Sequence, residues 1–423
     1  MVTKAFIRAN IPFVIHRNTL KENHEWNTID MRGDFLLKHI NDTFEHNVNA
    51  FAKPCNKELL VPIKAENQTP SRTCRIRISE AQIYCFETGI GICTLHIPFG
   101  GGTDAEDIAD ECSLLYRSVE DSDCCVLDSD SATHLSCIAE SLLLTLFQDT
   151  ACYTLFGTVG ENDRKRINMF SCVQFGHDPA AKPQTYHQYS YQLANAYDNR
   201  DKHFNVSEKD LYFQHSYICW SFSTRGCAAI SHLTGVKEND DFLNNRWFIS
   251  AQTNYFYLYI MALHQKFATY NYLSIIANDK EMERLEVNQK ALLDFNSKYI
   301  FSIVSDEQFI QDVHLRFKVA TNVDDAYVEL LDQLKKMFDY TQFKAAESAE
   351  KKNQRLNLIS LLISVVCSVS VILDTISLFV SSNAAFGFGN GRNALFTGVL
   401  SLEVLLFVAG ILAVFLINKK KNK

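Results

Sequence analysis

The sequence has no C-x-x-C pair, although it contains 13 cysteines. Their scattered spacing fits neither a zinc module nor the disulfide framework of a small secreted domain. We therefore expect most of them to be small buried hydrophobic residues in a reducing compartment. For the vicinal pair Cys124 and Cys125, a redox role competes with this structural one.

The sequence also lacks a basic block outside its extreme C-terminus, and its formal net charge is −8. A dedicated nucleic-acid binder needs a concentrated Lys/Arg surface, so we expect no nucleic acid as a partner. A composition of 47% hydrophobic and 21% charged residues excludes the collagen-like, disordered and disulfide-stapled classes.

Signatures of catalysis are missing as well. The glycines at residues 100–102 are not followed by the Lys and Ser/Thr of a P-loop, and Gly89 and Gly91 lack the third glycine of a dinucleotide fingerprint. No H-x-x-E-H, H-E-x-x-H or G-x-S-x-G pattern occurs. We therefore expect no enzymatic activity and no covalently bound cofactor.

Two long apolar runs are present near the C-terminal end, at residues 356–380 and 394–417. As a helix the first would be about 37 Å long, against a hydrocarbon core of roughly 30 Å, so we predict that both span a membrane. The short connection at residues 381–393 makes them an antiparallel hairpin. Lys and Arg precede the first span and follow the second, so the N-terminal part and the tail at residues 418–423 are predicted to be cytoplasmic.

Residues 255–277 are also long enough to span, but His264, Gln265 and Lys266 lie at their centre. A lysine at mid-bilayer costs on the order of 3 kcal/mol, which favours a buried helix outside the membrane. The N-terminal residues lack the uninterrupted apolar core of a signal peptide, in agreement with a cytoplasmic start.

The remaining chain predicts an α+β architecture. Residues 1–250 mix strand and helix signals and are interpreted as a cytoplasmic α/β domain. A β-hairpin or meander is predicted over residues 75–97 with its turn at Gly89, helices over residues 104–117 and 135–147, and strands over residues 212–233. Residues 251–323 form a helical region.

Residues 324–355 contain neither Pro nor Gly and run directly into the first apolar segment. We predict one continuous helix, a stalk that enters the membrane. Packing of its stripe against other copies of the chain competes with packing against residues 255–277. The apolar stripe repeats at close to seven residues and consists of Tyr327, Leu331, Leu334, Phe338 and Ala345.

The first span carries a stripe of small and hydroxyl side chains at three- and four-residue steps. One hairpin cannot enclose an aqueous path, so transport would need a ring of subunits lined by this stripe. The alternative is that the hydroxyls hold helices together or bond to their own backbone. The stripe consists of Ser360, Ser364, Ser368, Val371 and Thr375.

Each span holds one acid, Asp374 in the first and Glu403 in the second. Their depths differ by roughly 5 Å, and intramembrane carboxylates generally face a cavity or a partner. Because no intramembrane Lys or Arg can pair with them, a ring of carboxylates that favours cations is the functional hypothesis. Protonated acids that form hydrogen bonds across a helix interface are the alternative.

A large N-terminal domain, a long helix, a short loop, a second span and a terminal lysine cluster together resemble the CorA family of divalent-cation channels. Arg355-Leu356-Asn357 lies at the start of the first span, and the lysines at residues 419–421 follow the second. Family members carry an aromatic-Gly-Met-Asn selectivity filter in the loop, and here Phe stands in place of Met, with an extra Gly before Asn. The corresponding residues are Phe386, Gly387, Phe388, Gly389 and Asn390.

This departure resembles the CorA-like branch encoded beside type III CRISPR systems, which lacks the signature. Residues 86–91 and the segments at residues 220–222, 257–259 and 262–265 are also similar to that branch. The resemblance implies a membrane effector of antiviral defence whose cytoplasmic domain binds a messenger made of S-adenosylmethionine joined to AMP. It further implies a homo-oligomer of five subunits in the inner membrane of a bacterium.

A nucleotide ligand needs cations for its phosphate and aromatic faces for its base. Each candidate has an ordinary alternative role as a surface charge or a core aromatic. A divalent cation is a further possible ligand, without an assigned site, and a CorA-type magnesium transporter is the alternative function. The candidates for the nucleotide are Arg75, Arg77, Arg164, Lys165, Arg166, Trp220 and Arg225.

Overall fold

The structure is a computed structural model, which describes residues 1–17, 20–21, 24–63, 72–118, 126–128, 131–157, 166–180, 182–198, 206–278, 282–383, 402 and 405. Strands and helices both occur in the described residues. The strands are β1 (Val2–Ile15), β2 (Asn27–Thr28), β3 (Val48–Ile63), β4 (Arg72–Phe86), β5 (Ile90–Phe99), β6 (Val126–Asp128), β7 (Ser131–Thr133), β8 (Tyr153–Leu155), β9 (Asn168–Phe175), β10 (Leu211–His215), β11 (Ile218–Phe222) and β12 (Gly226–His232). The α-helices are α1 (Lys38–Asn47), α2 (Ala105–Arg117), α3 (Leu135–Leu146), α4 (Pro183–Asn195), α5 (Lys237–Phe242), α6 (Phe248–Gln252), α7 (Asn254–Asn278), α8 (Met282–Tyr299), α9 (Gln308–Ala320) and α10 (Val323–Asn383).

The strands form one mixed sheet in the order β10-β11-β12-β9-β1-β5-β4-β3-β6-β7, with β2 beside β3 and β8 beside β1. The pairing of β12 with β9 is parallel, and the other pairs are antiparallel. The prediction of an α+β domain followed by a long helix is thus confirmed.

Helices cover both faces of this sheet, and each face has its own hydrophobic core. Side chains of α2, α3 and α4 pack against one face, and side chains of α1, α6, α7, α8 and α9 pack against the other. Successive residues of a strand point to opposite faces, so β1 contributes Ile7 to the first core and Phe6 to the second. A central strand buried on both sides explains why β1 is apolar without a clear alternation.

The local predictions for residues 75–147 and 212–233 are confirmed. β4 and β5 pair antiparallel across a turn in which Gly89 adopts φ +79°, a conformation that favours glycine. The side chain of Asp104 caps α2 by accepting a hydrogen bond from the backbone N–H of Glu106. Strands β10 to β12 account for the aromatic stretch at residues 212–233.

Helix α7 lies inside the domain, as the lysine argument predicts. His264 and Gln265 are fully buried, and Gln265 donates a hydrogen bond to the backbone carbonyl of Tyr299. The His264 ring stacks on Phe86 at 3.9 Å between centroids and forms a 2.8 Å hydrogen bond with the Thr88 hydroxyl. Partners within the protein therefore satisfy one polar atom of each side chain, His264 Nε2 and Gln265 Nε2, that a bilayer would leave unpaired.

Of the ten cysteines whose side chains the structure describes, seven are buried. Burial raises the pKa of Cys85, Cys93 and Cys112 to about 12, so these thiols stay protonated. This agrees with the expected packing role. Cys124 and Cys125 lie outside the described residues.

By its internal packing the chain divides into two units, Met1–Leu334 and Lys335–Lys423. Helix α10 begins in the first unit, where Leu330 is buried and Tyr327 and Leu334 pack against the second core. Packing within the chain therefore accounts for the first turns of the stalk. Leu331 and Phe338 are each 46% exposed, and packing of the stripe between copies stays a prediction.

Within the second unit, α10 continues without a break through the first apolar run to Asn383. It is the one helix of the described residues that is long and apolar enough to cross a membrane. Only 6% of its most apolar 18-residue stretch is buried. Leu361 is 64% exposed and Ile363 is 57% exposed. Apart from Leu402 and Leu405, which are helical, the second span, residues 384–393 of the loop and the lysine tail lie outside the described residues.

Candidate functional site

The first unit contains a cleft of about 350 Å³, bounded by β10, the segment from α5 to α7, and the start of α9. Pockets of this volume hold small ligands in other proteins. Most of the lining is aromatic, with one cation and one carboxylate. The lining residues are Phe35, Gln214, His215, Phe242, Arg246, Trp247, Ser250, Tyr255, Glu307, Phe309 and Ile310.

Gln214 fixes the floor of this cleft. Its side-chain oxygen accepts hydrogen bonds from the indole N–H groups of Trp220 and Trp247, each at 3.2 Å. Its side-chain nitrogen donates to the Tyr255 hydroxyl at 2.9 Å. All four residues are buried, so the network is shielded from water and holds three aromatic rings in fixed positions.

Aromatic rings form one wall around His215. The His215 ring lies 4.9 Å from Phe309, 5.2 Å from Tyr217 and 6.0 Å from Phe242, measured between centroids. Partial burial lowers the pKa of His215, which favours a neutral ring at pH 7. A neutral ring among aromatic faces can stack on a flat heterocycle such as a nucleobase.

Charge is placed at the mouth. Arg246 and Glu307 are both exposed lining residues, and Glu307 immediately precedes the first turn of α9. A guanidinium at the opening can bind a phosphate or carboxylate in a bidentate manner while an aromatic group lies deeper. The cleft therefore suits a ligand that combines a flat ring with an anionic group.

A second cleft, of about 520 Å³, is lined by residues of β10, β11 and α9 and is more polar. Its Arg316 guanidinium stacks over the Tyr212 ring at 4.6 Å, and the Tyr212 hydroxyl donates to Asp312 at 3.1 Å. Both the arginine and the tyrosine are thus already engaged within the protein. In the first cleft, the His215 ring is half-buried and the Phe309 ring is exposed, so a ligand can reach both.

The sequence-predicted Trp220 lies directly behind the first cleft but does not line it. Its ring is fully buried and packs against Tyr255 at 5.0 Å and Phe317 at 6.3 Å. It acts on the cleft through Gln214. Trp220 is therefore a core aromatic residue, which is the alternative role given for it above.

Arg225 is held between two aromatic rings away from the cleft. Its guanidinium lies 5.2 Å from the Tyr116 ring and 5.6 Å from the Tyr197 ring, and it donates a 3.1 Å hydrogen bond to the carbonyl of Asn195. These contacts tie the β11–β12 turn to α2 and to the end of α4.

The other candidate cations are not brought together with Trp220. Arg75 and Arg77 are exposed on β4, five strands from β11 in the sheet and therefore roughly 24 Å away. Arg166 is exposed just before β9, while Arg164 and Lys165 lie outside the described residues. None of the described candidates lines either cleft.

Sequence reasoning did not identify Gln214, His215, Arg246 or Glu307 as site residues. They come from three separate stretches that meet only after the sheet and helices have formed. One local signal was present, because Gln214 and His215 follow the apolar and aromatic residues of β10. Polar side chains in a half-buried strand need hydrogen-bond partners.

The second unit supplies the hydroxyl stripe of α10. Ser364 donates to the backbone carbonyl of Ser360 at 2.9 Å, and Ser368 donates to that of Ser364 at 2.7 Å. These bonds match the backbone-bonding alternative. Val371 and Asp374 are exposed on the same helix. The Thr375 side chain, Glu403 and the loop residues 386–390 lie outside the described residues.

The described part of the chain holds no group of three or more His, Cys, Asp or Glu side chains that could bind a metal ion. Comparison with protein-family profiles, with curated proteins and with solved structures finds no match for this chain. The cleft and the exposed apolar helix are therefore the features on which a functional interpretation depends.

Proposed function

We propose that this protein is a ligand-gated membrane effector. The observation that carries the proposal is helix α10, which starts in the packed core of the α+β unit and continues as an exposed apolar helix long enough to cross a bilayer. An exposed apolar surface of this length is costly in water and favourable in lipid. The α+β unit acts as the sensor and the helix as the membrane element.

The ligand class is a nucleotide bound in the aromatic cleft. His215, Phe242 and Phe309 offer ring faces for a base, and Arg246 offers a guanidinium for a phosphate. By the resemblance to the CRISPR-associated CorA-like branch, the messenger is S-adenosylmethionine joined to AMP. The same resemblance carries the antiviral role, the second span, the cytoplasmic termini, the inner-membrane location and the pentamer.

Helix α9 gives the cleft a route to the membrane helix. Phe309 and Ile310 line the cleft at the start of α9. At its other end the Lys318 ammonium pairs with Asp324 of α10 at 2.7 Å, across a turn in which Asn322 has φ +54°. The Lys318 side chain is 9% exposed and the Asp324 side chain is 59% exposed, so the pair is only partly shielded from water. A ligand that shifts α9 thereby shifts the first turn of α10.

Ion flux from liposomes that contain the purified full-length protein tests the proposal. Flux that requires the nucleotide supports a gated effector. Magnesium flux without nucleotide supports the alternative, a CorA-type transporter, and no flux under either condition removes both. The absence of a matching selectivity filter in the loop sequence favours the first outcome.

Two matched variants test the cleft. We expect Arg246→Ala to raise the nucleotide concentration for half-maximal flux by about tenfold, the loss of one charge-assisted contact. Arg166→Ala, an exposed arginine outside the cleft, should leave that concentration unchanged. The reverse result would move the binding site to the basic segment at residues 164–166.

The carboxylate ring is tested by neutralising each intramembrane acid. Asp374→Asn and Glu403→Gln should change conductance or ion preference while the oligomer still assembles, because each variant removes a charge and keeps the side-chain volume. Flux and ion preference equal to the unsubstituted protein in both variants would rule out the ring.

A further inference from the structure

Three polar residues form a row across neighbouring strands of the sheet. Arg8 on β1 lies directly opposite His96 on β5, and His96 lies directly opposite Glu80 on β4. Directly opposite residues of antiparallel strands point to the same face. This row faces the second core, on the side of the sheet covered by α6 and α7.

Arg8 is a buried cation without an ion-pair partner in the described residues. Its side chain is packed against the rings of Phe256 at 3.9 Å and Phe6 at 5.4 Å, and one guanidinium nitrogen donates to the carbonyl of Gln252 at 3.0 Å. Its Nε–H is buried and has no hydrogen-bond partner. The aromatic contacts offset only part of the cost of burying a charge.

His96 presents a second unpartnered nitrogen beside it. Its Nδ1 forms a 3.0 Å hydrogen bond with the Ser79 hydroxyl, and its Nε2 is buried without a partner. Burial, together with the charge of Arg8, lowers the pKa of His96 to about 4, so the ring is neutral at pH 7. The Ser79 hydroxyl can donate either to Nδ1 or to the backbone carbonyl of His96 at 3.2 Å, so either ring nitrogen can carry the proton. An anion beside Arg8 would select the tautomer with the proton on Nε2, which makes that nitrogen a donor.

Glu80 does not complete the site. Its carboxylate accepts a hydrogen bond from Gln82, whose side-chain oxygen accepts from the Tyr84 hydroxyl at 2.6 Å. It lies near enough to favour the charged form of Arg8 but forms no ion pair with it. Its negative charge would repel a doubly charged ligand more than a singly charged one.

A buried water could complete the hydrogen bonds of Arg8 and His96, but water supplies no counter-charge. An oxyanion supplies both. We infer that Arg8 and His96 form a binding site for one singly charged oxyanion, a carboxylate or a phosphodiester group. The site is separate from the aromatic cleft, which includes neither residue, and it does not depend on the proposed membrane function.

Calorimetric titration of the full-length protein in detergent tests the inference, with acetate and dimethyl phosphate as the two probes and chloride at equal ionic strength as the reference. We expect saturable binding of at least one probe, and the stronger of the two identifies the natural group. Inorganic phosphate at pH 8, which is mostly doubly charged, should bind more weakly. Binding of neither probe beyond chloride would overturn the inference.

Variants assign the binding to this site. His96→Leu should weaken the stronger probe about tenfold by removing one donor, and His96→Gln, which keeps an N–H group, should restore most of the affinity. Arg8→Met should abolish binding, whereas Arg225→Met, which removes an arginine held elsewhere, should not. If Arg8→Met does not fold, the two His96 variants decide, and equal affinity in both would refute the assignment.

Discussion

Substitution of Gln214 by Leu would remove the hydrogen-bond network under the aromatic cleft. Leucine is similar in size but cannot accept from the indoles of Trp220 and Trp247 or donate to Tyr255. Two buried N–H groups would lose their acceptor, at about 1–3 kcal/mol each. Since leucine keeps the apolar packing, we expect a loss of roughly 3 kcal/mol in the free energy of unfolding.

Tryptophan fluorescence during urea unfolding measures this loss directly. The sequence has three tryptophans, Trp26, Trp220 and Trp247, and all of them lie in the first unit. The signal therefore reports on that unit even in the full-length protein in detergent. Nucleotide binding should weaken in parallel, because Gln214 positions rings of the cleft.

Gln174→Leu is the matched control. Gln174 is also buried, but its side chain makes one hydrogen bond, to Asn244 at 3.1 Å, and its side-chain oxygen has no partner. Removing a polar group that is already half unsatisfied should be close to neutral. Equal losses for the two leucine variants would refute the reasoning, because hydrogen-bond count would then not determine the cost.

Two further predictions concern stability. His314 is fully buried, and burial together with the charge of Lys318 lowers the pKa of its ring from 6.5 to about 4. Between these two pH values the unfolded chain binds a proton that the folded chain does not. The free energy of unfolding therefore falls as pH decreases from 6.5 towards 4. His314→Phe should remove about 2 kcal/mol of the stability difference between pH 7.5 and pH 5, measured by urea midpoints, and an unchanged difference would contradict this. Gly226→Ala should destabilise by about 2 kcal/mol or more, since its Cβ would lie 2.4 Å from the backbone oxygen of Met169. Gly100→Ala, with nothing within 4 Å of the added atom, should leave the thermal midpoint unchanged, and equal shifts in the two variants would count against the steric argument.

Local sequence signals predicted the elements whose structure depends on near neighbours. Gly89 marked the β4–β5 turn, Asp104 marked the start of α2, and Lys266, two residues after His264, argued against a membrane span over residues 255–277. In each case the deciding interaction lies within a few residues, or follows from the cost of placing a charge in lipid. These are properties that a sequence states directly.

The sites depend on contacts that a sequence does not state. Trp220 was singled out because aromatic rings stack on bases, but β11 lies in the sheet interior, so its ring is in the core. Arg8 was overlooked because it is one of several polar residues in a mainly apolar strand. Its significance depends on the absence of a carboxylate on β5, a strand more than 80 residues away. Strand order, which is a tertiary property, decides both cases.

In the proposed function, helix α9 is the element through which binding in the cleft affects helix α10. A ligand shifts a conformational equilibrium only by the difference between its contacts in the two states, so contacts with β10 alone would leave α10 where it is. The far half of α9 is locked into the core, where Phe317 packs against Tyr259 at 5.2 Å and Phe222 at 5.5 Å. A ligand that displaces Phe309 at the near end therefore has to work against this packing to move α9 as a whole, and in the proposed function the Lys318–Asp324 ion pair passes that movement to the start of α10.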